Sequence, residues 1–141
     1  MICRAVLGVV FIWAAAAKVP ELESFADSVG NYRILPAILL NPLAVWLVGI
    51  ELAAGAAVLV GFFSRGAGLV LALLNFTFIG AIASALARGL AIECGCWGPG
   101  GGELVSVELI ARDLGLLGGS VLVWATREDP LCIERLVSRR R

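Results

Sequence analysis

Four stretches of this chain are apolar over lengths that suit lipid better than water, and they decide most of what the molecule can become. A bilayer core takes about 20 mostly apolar residues per helix, and such runs fall at about residues 2–19, 41–63, 66–86 and 107–126. Pro20 closes the first run, because proline has no N–H with which to continue a helix. Pro36 and Pro42 flank the start of the second, and the charged Arg127-Glu128-Asp129-Pro130 follows the last. Of the 141 residues, 60% are hydrophobic and 16% charged, against about 45–50% and 25% in soluble domains. One small domain cannot bury that much apolar surface in itself. The expected fold is all-α: a single four-helix transmembrane bundle over residues 1–141, multi-pass in the plasma (inner) membrane.

The connections are read from their polarity. Glu21 to Arg33 is expected to form a short surface helix and turn. The segment 89–106 is a loop, since Ala91 to Gly102 is too rich in glycine for regular structure. Arg4, an apolar stretch and Ala15-Ala16-Ala17 before Lys18 also fit a cleavable secretory signal; a retained first span is the preferred reading. Cytoplasmic flanks are enriched in Lys and Arg. With four spans, one side collects Arg4, Arg65, Arg127, Arg135, Arg139, Arg140 and Arg141. Both termini are therefore placed in the cytoplasm and the 89–106 loop outside it.

Histidine is absent and the net charge is zero, which excludes a His-based triad or His-ligated metal site and leaves no basic patch for nucleic acid. Attention passes to Cys3, Cys94, Cys96 and Cys132. Cys94 and Cys96 flank a single glycine, so their α-carbons can approach within the disulfide range of roughly 4.4–6.8 Å. The ring is small and strained, Gly95 easing the backbone, and strained exposed disulfides are the labile ones. Such a bond closes almost no loop and so removes little unfolded-state entropy. An exposed pair of this kind exchanges electrons better than it holds a fold. Trp97 suits the membrane interface. Lys18, Arg88 and Arg112 near the same face favour thiolate, while Glu93 opposes them. An inert disulfide and a soft-metal site are the competing readings. Two thiolates can hold Cu(I), Zn(II) or Hg(II) only transiently, with Cys3 and Cys132 serving a carrier on the cytoplasmic side.

Ionisable groups inside a membrane are rare, face the bundle interior and find partners. Glu51 lies in the middle of the second span and Arg112-Asp113 in the fourth, so a Glu51–Arg112 pair is expected. It would act as a helix lock, a proton site or an anchor for a quinone head group, with Lys18 nearby and Asn75 a weaker polar candidate.

These residues together resemble a known family. The first helix ending Ala17-Lys18-Val19-Pro20 with Phe25 after it, the Glu51 helix, the loop Glu93-Cys94-Gly95-Cys96-Trp97-Gly98 and Arg112-Asp113 are similar to the MauE branch of the DoxX-like membrane proteins. The likeness runs from about Arg4 to Trp124, the Cys-Gly-Cys loop being its most specific part. The resemblance implies a four-helix membrane bundle linked to methylamine utilisation and to maturation of a disulfide-rich amine dehydrogenase subunit. It also implies a thioredoxin-like periplasmic partner, and quinone-coupled chemistry among DoxX-like relatives. The plan is similar to that of quinone-linked disulfide-forming enzymes, although those carry Cys-x-x-Cys where this chain has Cys-Gly-Cys.

The function expected is therefore membrane thiol–disulfide exchange by Cys94 and Cys96, supported by Glu93, Gly95 and Trp97, with a thioredoxin-like protein or disulfide-containing client. A quinone held near Arg112 and Glu51 is the cofactor considered. A soft-metal or small-thiol carrier and a non-catalytic membrane anchor are the alternatives. Besides lipid and the redox partner, a second copy of the chain is a further partner expected from the exposed small residues.

Overall fold

Pro20 does not end the first span; it bends it. In the computed structural model, which describes residues 2–94 and 104–126, helix α1 (Ile2–Lys18) passes through a 3-10 turn (Val19–Glu21) into α2 (Leu22–Asn31). Helices α3 (Leu40–Val60), α4 (Ser64–Ala87) and α5 (Val107–Ala125) follow, with a second 3-10 turn over Ala37–Leu39. Among the described residues there is no β-strand, only an isolated antiparallel bridge between Glu93 and Leu104.

The short helix expected over Glu21–Arg33 is found as α2, with one edge packed against α3 rather than lying wholly on the surface. Low down, a Cβ on Gly8 would lie 2.7 Å from Leu59 Cβ, and one on Gly55 3.2 Å from Phe11 Cβ. Higher up, Phe25 and Ala26 pack with Ala44 and Val48, and a Cβ on Gly30 would meet Leu40. The chain thus runs antiparallel to α3 along its whole length, with a proline break part-way. The physical reason is the spacing of Leu22, Phe25, Ala26 and Val29, which gives α2 one apolar edge among its acids. Glu21, Glu23 and Asp27 stay exposed on the other side.

Three helical segments are long and apolar enough to cross a membrane: Ile2–Asn31, Ala37–Val60 and Ser64–Ala87. The fourth helix, α5, carries Glu108, Arg112 and Asp113 in its first two turns and packs along α4. Exposed Trp13, Trp46, Phe62, Phe63 and Phe76 cover the outside, as expected where lipid is the solvent. The interior is small-residue packing around Leu7, Phe11, Ala54, Val58, Ala67, Leu71 and Val123.

Helix ends are closed by local chemistry. α3 stops three residues short of the expected boundary because Gly61 turns left-handed (φ 79°) and its N–H reaches Ala57 O at 2.9 Å, the usual glycine stop. Arg4, buried at the same level, donates through Nε to Val58 O at 3.0 Å. Arg65 does the same for α5 at Trp124 O, 3.2 Å away. Both satisfy carbonyls that a helix end leaves orphaned, where positive charge is also favoured by the dipole.

Close backbone approach is the main source of association where no hydrophobic effect acts between helices. Gly8→Ala drives its new methyl to 2.7 Å from Leu59 Cβ and 3.0 Å from Gly55 O. Overpacking costs about 1–3 kcal/mol, whereas a Cβ on Gly118 meets nothing within 4 Å. Thermal unfolding in detergent should show Gly8→Ala clearly destabilised and Gly118→Ala close to the parent.

Candidate functional site

Side chains on a helix lean toward its N-terminus, so across an antiparallel pair they lean toward one another. Lys18 at the end of α1 reaches down and Glu51, half-way along α3, reaches up. Their Nζ and Oε2 meet at 2.7 Å, with Lys18 1% and Glu51 4% exposed. The remaining ammonium surface faces two aromatic rings, Phe25 at 5.3 Å and Phe78 at 5.7 Å from Nζ to ring centre. A cation in that setting is held by charge and by the ring quadrupoles together.

This corrects the expected Glu51–Arg112 pair. Arg112 turns instead to its neighbour Asp113, with Nε 3.5 Å from Oδ1. The reason is that Lys18 stands on the helix directly against α3, while Arg112 stands on α5, which packs chiefly on α4. All four charges nonetheless converge. Lys18, Glu51, Arg112 and Asp113 line one cavity with Asn75 and Phe78 of α4 and Val10, Phe11, Ala14 and Leu116. Two positive and two negative groups leave it formally neutral. Its volume is about 20 Å³, measured by where the centre of a water molecule can lie. A water needs at least roughly 10–15 Å³ on that measure, so the cavity has room for one water molecule.

The cysteine segment lies at the end of the bundle where α2 and α4 finish. Cys94 is disulfide-bonded and only 4% exposed, packed with Tyr32, Ile82, Ala85, Val105 and Leu109. The exposure expected of this cysteine is therefore not found. Its flank is tied down, because Val105 N–H donates to Ile92 O at 2.8 Å and the Glu93–Leu104 bridge closes the base of the loop. Gly95, Cys96 and Trp97 lie outside the described residues, as does Cys132. Glu93 is exposed. Cys3 is a free, exposed thiol at the opposite end, 3.8 Å from Gly119 O. Among the described residues no group of three or more cysteines and carboxylates is gathered to hold a metal.

Tyr32, which sequence reasoning passed over, is the clamp on Cys94. Its hydroxyl donates to Cys94 O at 3.1 Å, and its own carbonyl accepts from the Arg88 guanidinium. One residue thereby joins the end of α2, the end of α4 and the cysteine loop. The signal available in sequence was slight: Tyr32 is the only tyrosine and sits in a stretch read as surface.

Burial, and next the nearby charge of Asp113, push the Tyr32 phenol from 10.0 up to about 12. A raised pKa contributes stability that is whole below 10 and is lost as pH rises through 12. Because the chain has one tyrosine, ultraviolet phenolate absorbance isolates it; the titration midpoint should lie near 12 in the folded protein and fall back toward 10 on unfolding.

The buried pair gives a second expectation. Breaking a buried ion pair by removing one partner costs about 3–5 kcal/mol, while replacing both partners with apolar groups is often neutral. Lys18→Met and Glu51→Leu should each lower the thermal midpoint sharply, and the double variant should recover most of the loss. Additive losses in that cycle would show that the two groups do not depend on one another.

Fold and site together define a small helical membrane protein with a polar centre inside its bundle and a clamped cysteine loop at one end. The chain belongs to the MauE family: the family described as methylamine utilisation protein MauE matches residues 1–126. It is 32% identical to the methylamine utilization protein MauE of Paracoccus denitrificans, over 79% of this chain and 60% of that protein. Its identity to the MauE of Methylophilus methylotrophus is 37%, over 79% and 61%. The MauE of Methylorubrum extorquens is 33% identical over 78% and 62%. The chain thus spans about three-fifths of the length of these curated relatives. No solved structure matches it.

Proposed function

We propose that this chain is a membrane thiol–disulfide exchange protein, with Cys94 and Cys96 as the redox pair, acting in methylamine utilisation as its relatives' names suggest. The observation that carries this reading is Cys94 itself. It is disulfide-bonded, and its carbonyl is held by Tyr32, so the backbone on that side of the pair is fixed while the bond changes state.

The exchange balances between the pair and a protein thiol. A thiolate of the partner attacks the Cys94–Cys96 disulfide, giving a mixed disulfide and one free loop thiolate. The partner's second thiolate then attacks the mixed disulfide, releasing the partner as a disulfide and the pair as a dithiol. Two electrons and two protons pass to the pair, and the reverse sequence returns them. The partner is a thioredoxin-like protein or a disulfide-containing client. The exchange is assigned to protein thiols.

The loop is placed on the extracytoplasmic side and the termini in the cytoplasm. In support, the end of the bundle holding Arg4 and Arg65 bears no acid among the described residues. Glu21, Glu23, Asp27, Glu93 and Glu108 all belong to the other end. The positive-inside rule counts Lys and Arg, and by sequence it is Arg4, Arg65 and Arg127 with the basic tail Arg135, Arg139, Arg140 and Arg141 that favour the cytoplasm for the termini; the extracytoplasmic side is where disulfides persist.

Thiol trapping on intact cells tests both statements. With a membrane-impermeant maleimide, a variant retaining only Cys94 and Cys96 should label only after mild reduction, and one retaining only Cys3 and Cys132 should not label. Cys94→Ser or Cys96→Ser should abolish exchange with an added dithiol client, and Cys3→Ser and Cys132→Ser should leave it unchanged. Exchange surviving without either loop cysteine refutes the redox role; labelling of Cys3 or Cys132 alone inverts the orientation.

A further inference from the structure

The central cavity holds a pattern that the cysteine chemistry does not use. Asn75 is 3% exposed, and its Nδ2 is a buried donor with no hydrogen-bond partner while its side chain lines the cavity. Glu51 accepts from Lys18 Nζ at Oε2 and faces the same space. A buried amide N–H left without an acceptor is costly, and buried polar groups in native proteins are nearly always paired, often by water. The volume of about 20 Å³ suits one such molecule, for which roughly 10–15 Å³ suffices.

We propose that this cavity is a water site in the middle of the bundle, hydrated from the cysteine-loop end only. The water accepts from Asn75 Nδ2 and donates to the Glu51 carboxylate, giving two of the two to four bonds that a buried water makes. The titratable and charged groups around it are Lys18 from α1, Glu51 from α3, and Arg112 and Asp113 from α5; α4 contributes Asn75 and Phe78. Access is through Arg112, which lines this cavity and also a surface pocket of about 410 Å³ shared with Leu104, Ser106, Glu108 and Leu109. In the other direction Phe11 belongs both to the cavity wall and to the apolar cluster with Leu7, Val58 and Leu71, which closes the path. The bundle thereby gives the Lys18–Glu51 pair contact with water, and so with protons, from one face alone. This inference stands apart from the redox reading and does not need the cysteines.

Radiolytic footprinting of the intact, folded chain in ¹⁸O-labelled water tests it, since hydroxyl radicals born from a bound water mark the side chains around it. Phe11 and Phe25 are both buried, at 4% and 1%, but only Phe11 lines the cavity. Phe11 should take up label several-fold faster than Phe25, Leu109 and Leu116 should follow it, and Leu71 and Val58 should stay protected. Equal protection of Phe11 and Phe25 overturns the water site, and labelling of Leu71 and Val58 at the Phe11 rate overturns one-sided access. Asn75→Leu supplies an independent sign: with a bound water its thermal midpoint falls by several degrees and Phe11 labelling drops to the Phe25 rate. In a dry cavity the same variant removes an unsatisfied amide, and the midpoint rises.

Discussion

The ion pair between Lys18 and Glu51 is the constraint around which the described structure is arranged. Neither charge can be left alone in a bundle that lipid surrounds, because an unpaired buried ion costs several kcal/mol. The pair therefore sets the register of α1 against α3, since only one alignment brings two side chains that lean toward each other to 2.7 Å. It also explains why the break falls at Pro20. A lysine in the last turn of α1 is favoured by the helix dipole, and the 3-10 turn that follows begins directly after it. Phe25 from beyond the break then folds back over the ammonium, so the two halves of the bent helix close on one charge.

From that centre the dependence runs outward along α4 and α5. Asn75 and Phe78 face the pair from α4, and Arg112 with Asp113 completes the charge balance from α5. The Asp113 charge is also felt at Tyr32, which holds the Cys94 carbonyl. The polar centre and the cysteine loop are thus linked through a short series of named groups. The ends of α2 and α4 meet there, since Tyr32 also accepts from the Arg88 guanidinium through its own carbonyl.

Much of this was legible in the sequence, and the reasons are physical. Apolar run length marks helices suited to lipid, and α3, α4 and α5 fall on the second, third and fourth runs to within three residues, the largest difference being at the Gly61 stop, although α5 is not among the segments long and apolar enough to cross a membrane. Glu51, Lys18, Arg112 and Asp113 were recognisable because charge is scarce in such runs. Their pairing was not recognisable, since it depends on which helices are neighbours: Arg112 was assigned to Glu51 when Lys18 stood closer. The role of α2 was hidden by composition. Its three flanking acids read as surface, and only the burial of Phe25, Ala26 and Ser28 reveals the edge that packs. Tyr32 and Asn75 are single polar residues whose importance comes entirely from what surrounds them.

The size of the central cavity decides between two ways of using the charges. A ring-sized ligand exceeds the free volume of about 20 Å³ and would need the helices around it to part. A single water needs no such opening and satisfies a donor that otherwise has no acceptor. Cys94 is closed in as well, buried among Tyr32, Ile82, Ala85, Val105 and Leu109 with its carbonyl held by the Tyr32 hydroxyl, so the polar centre and the start of the loop are both packed rather than open.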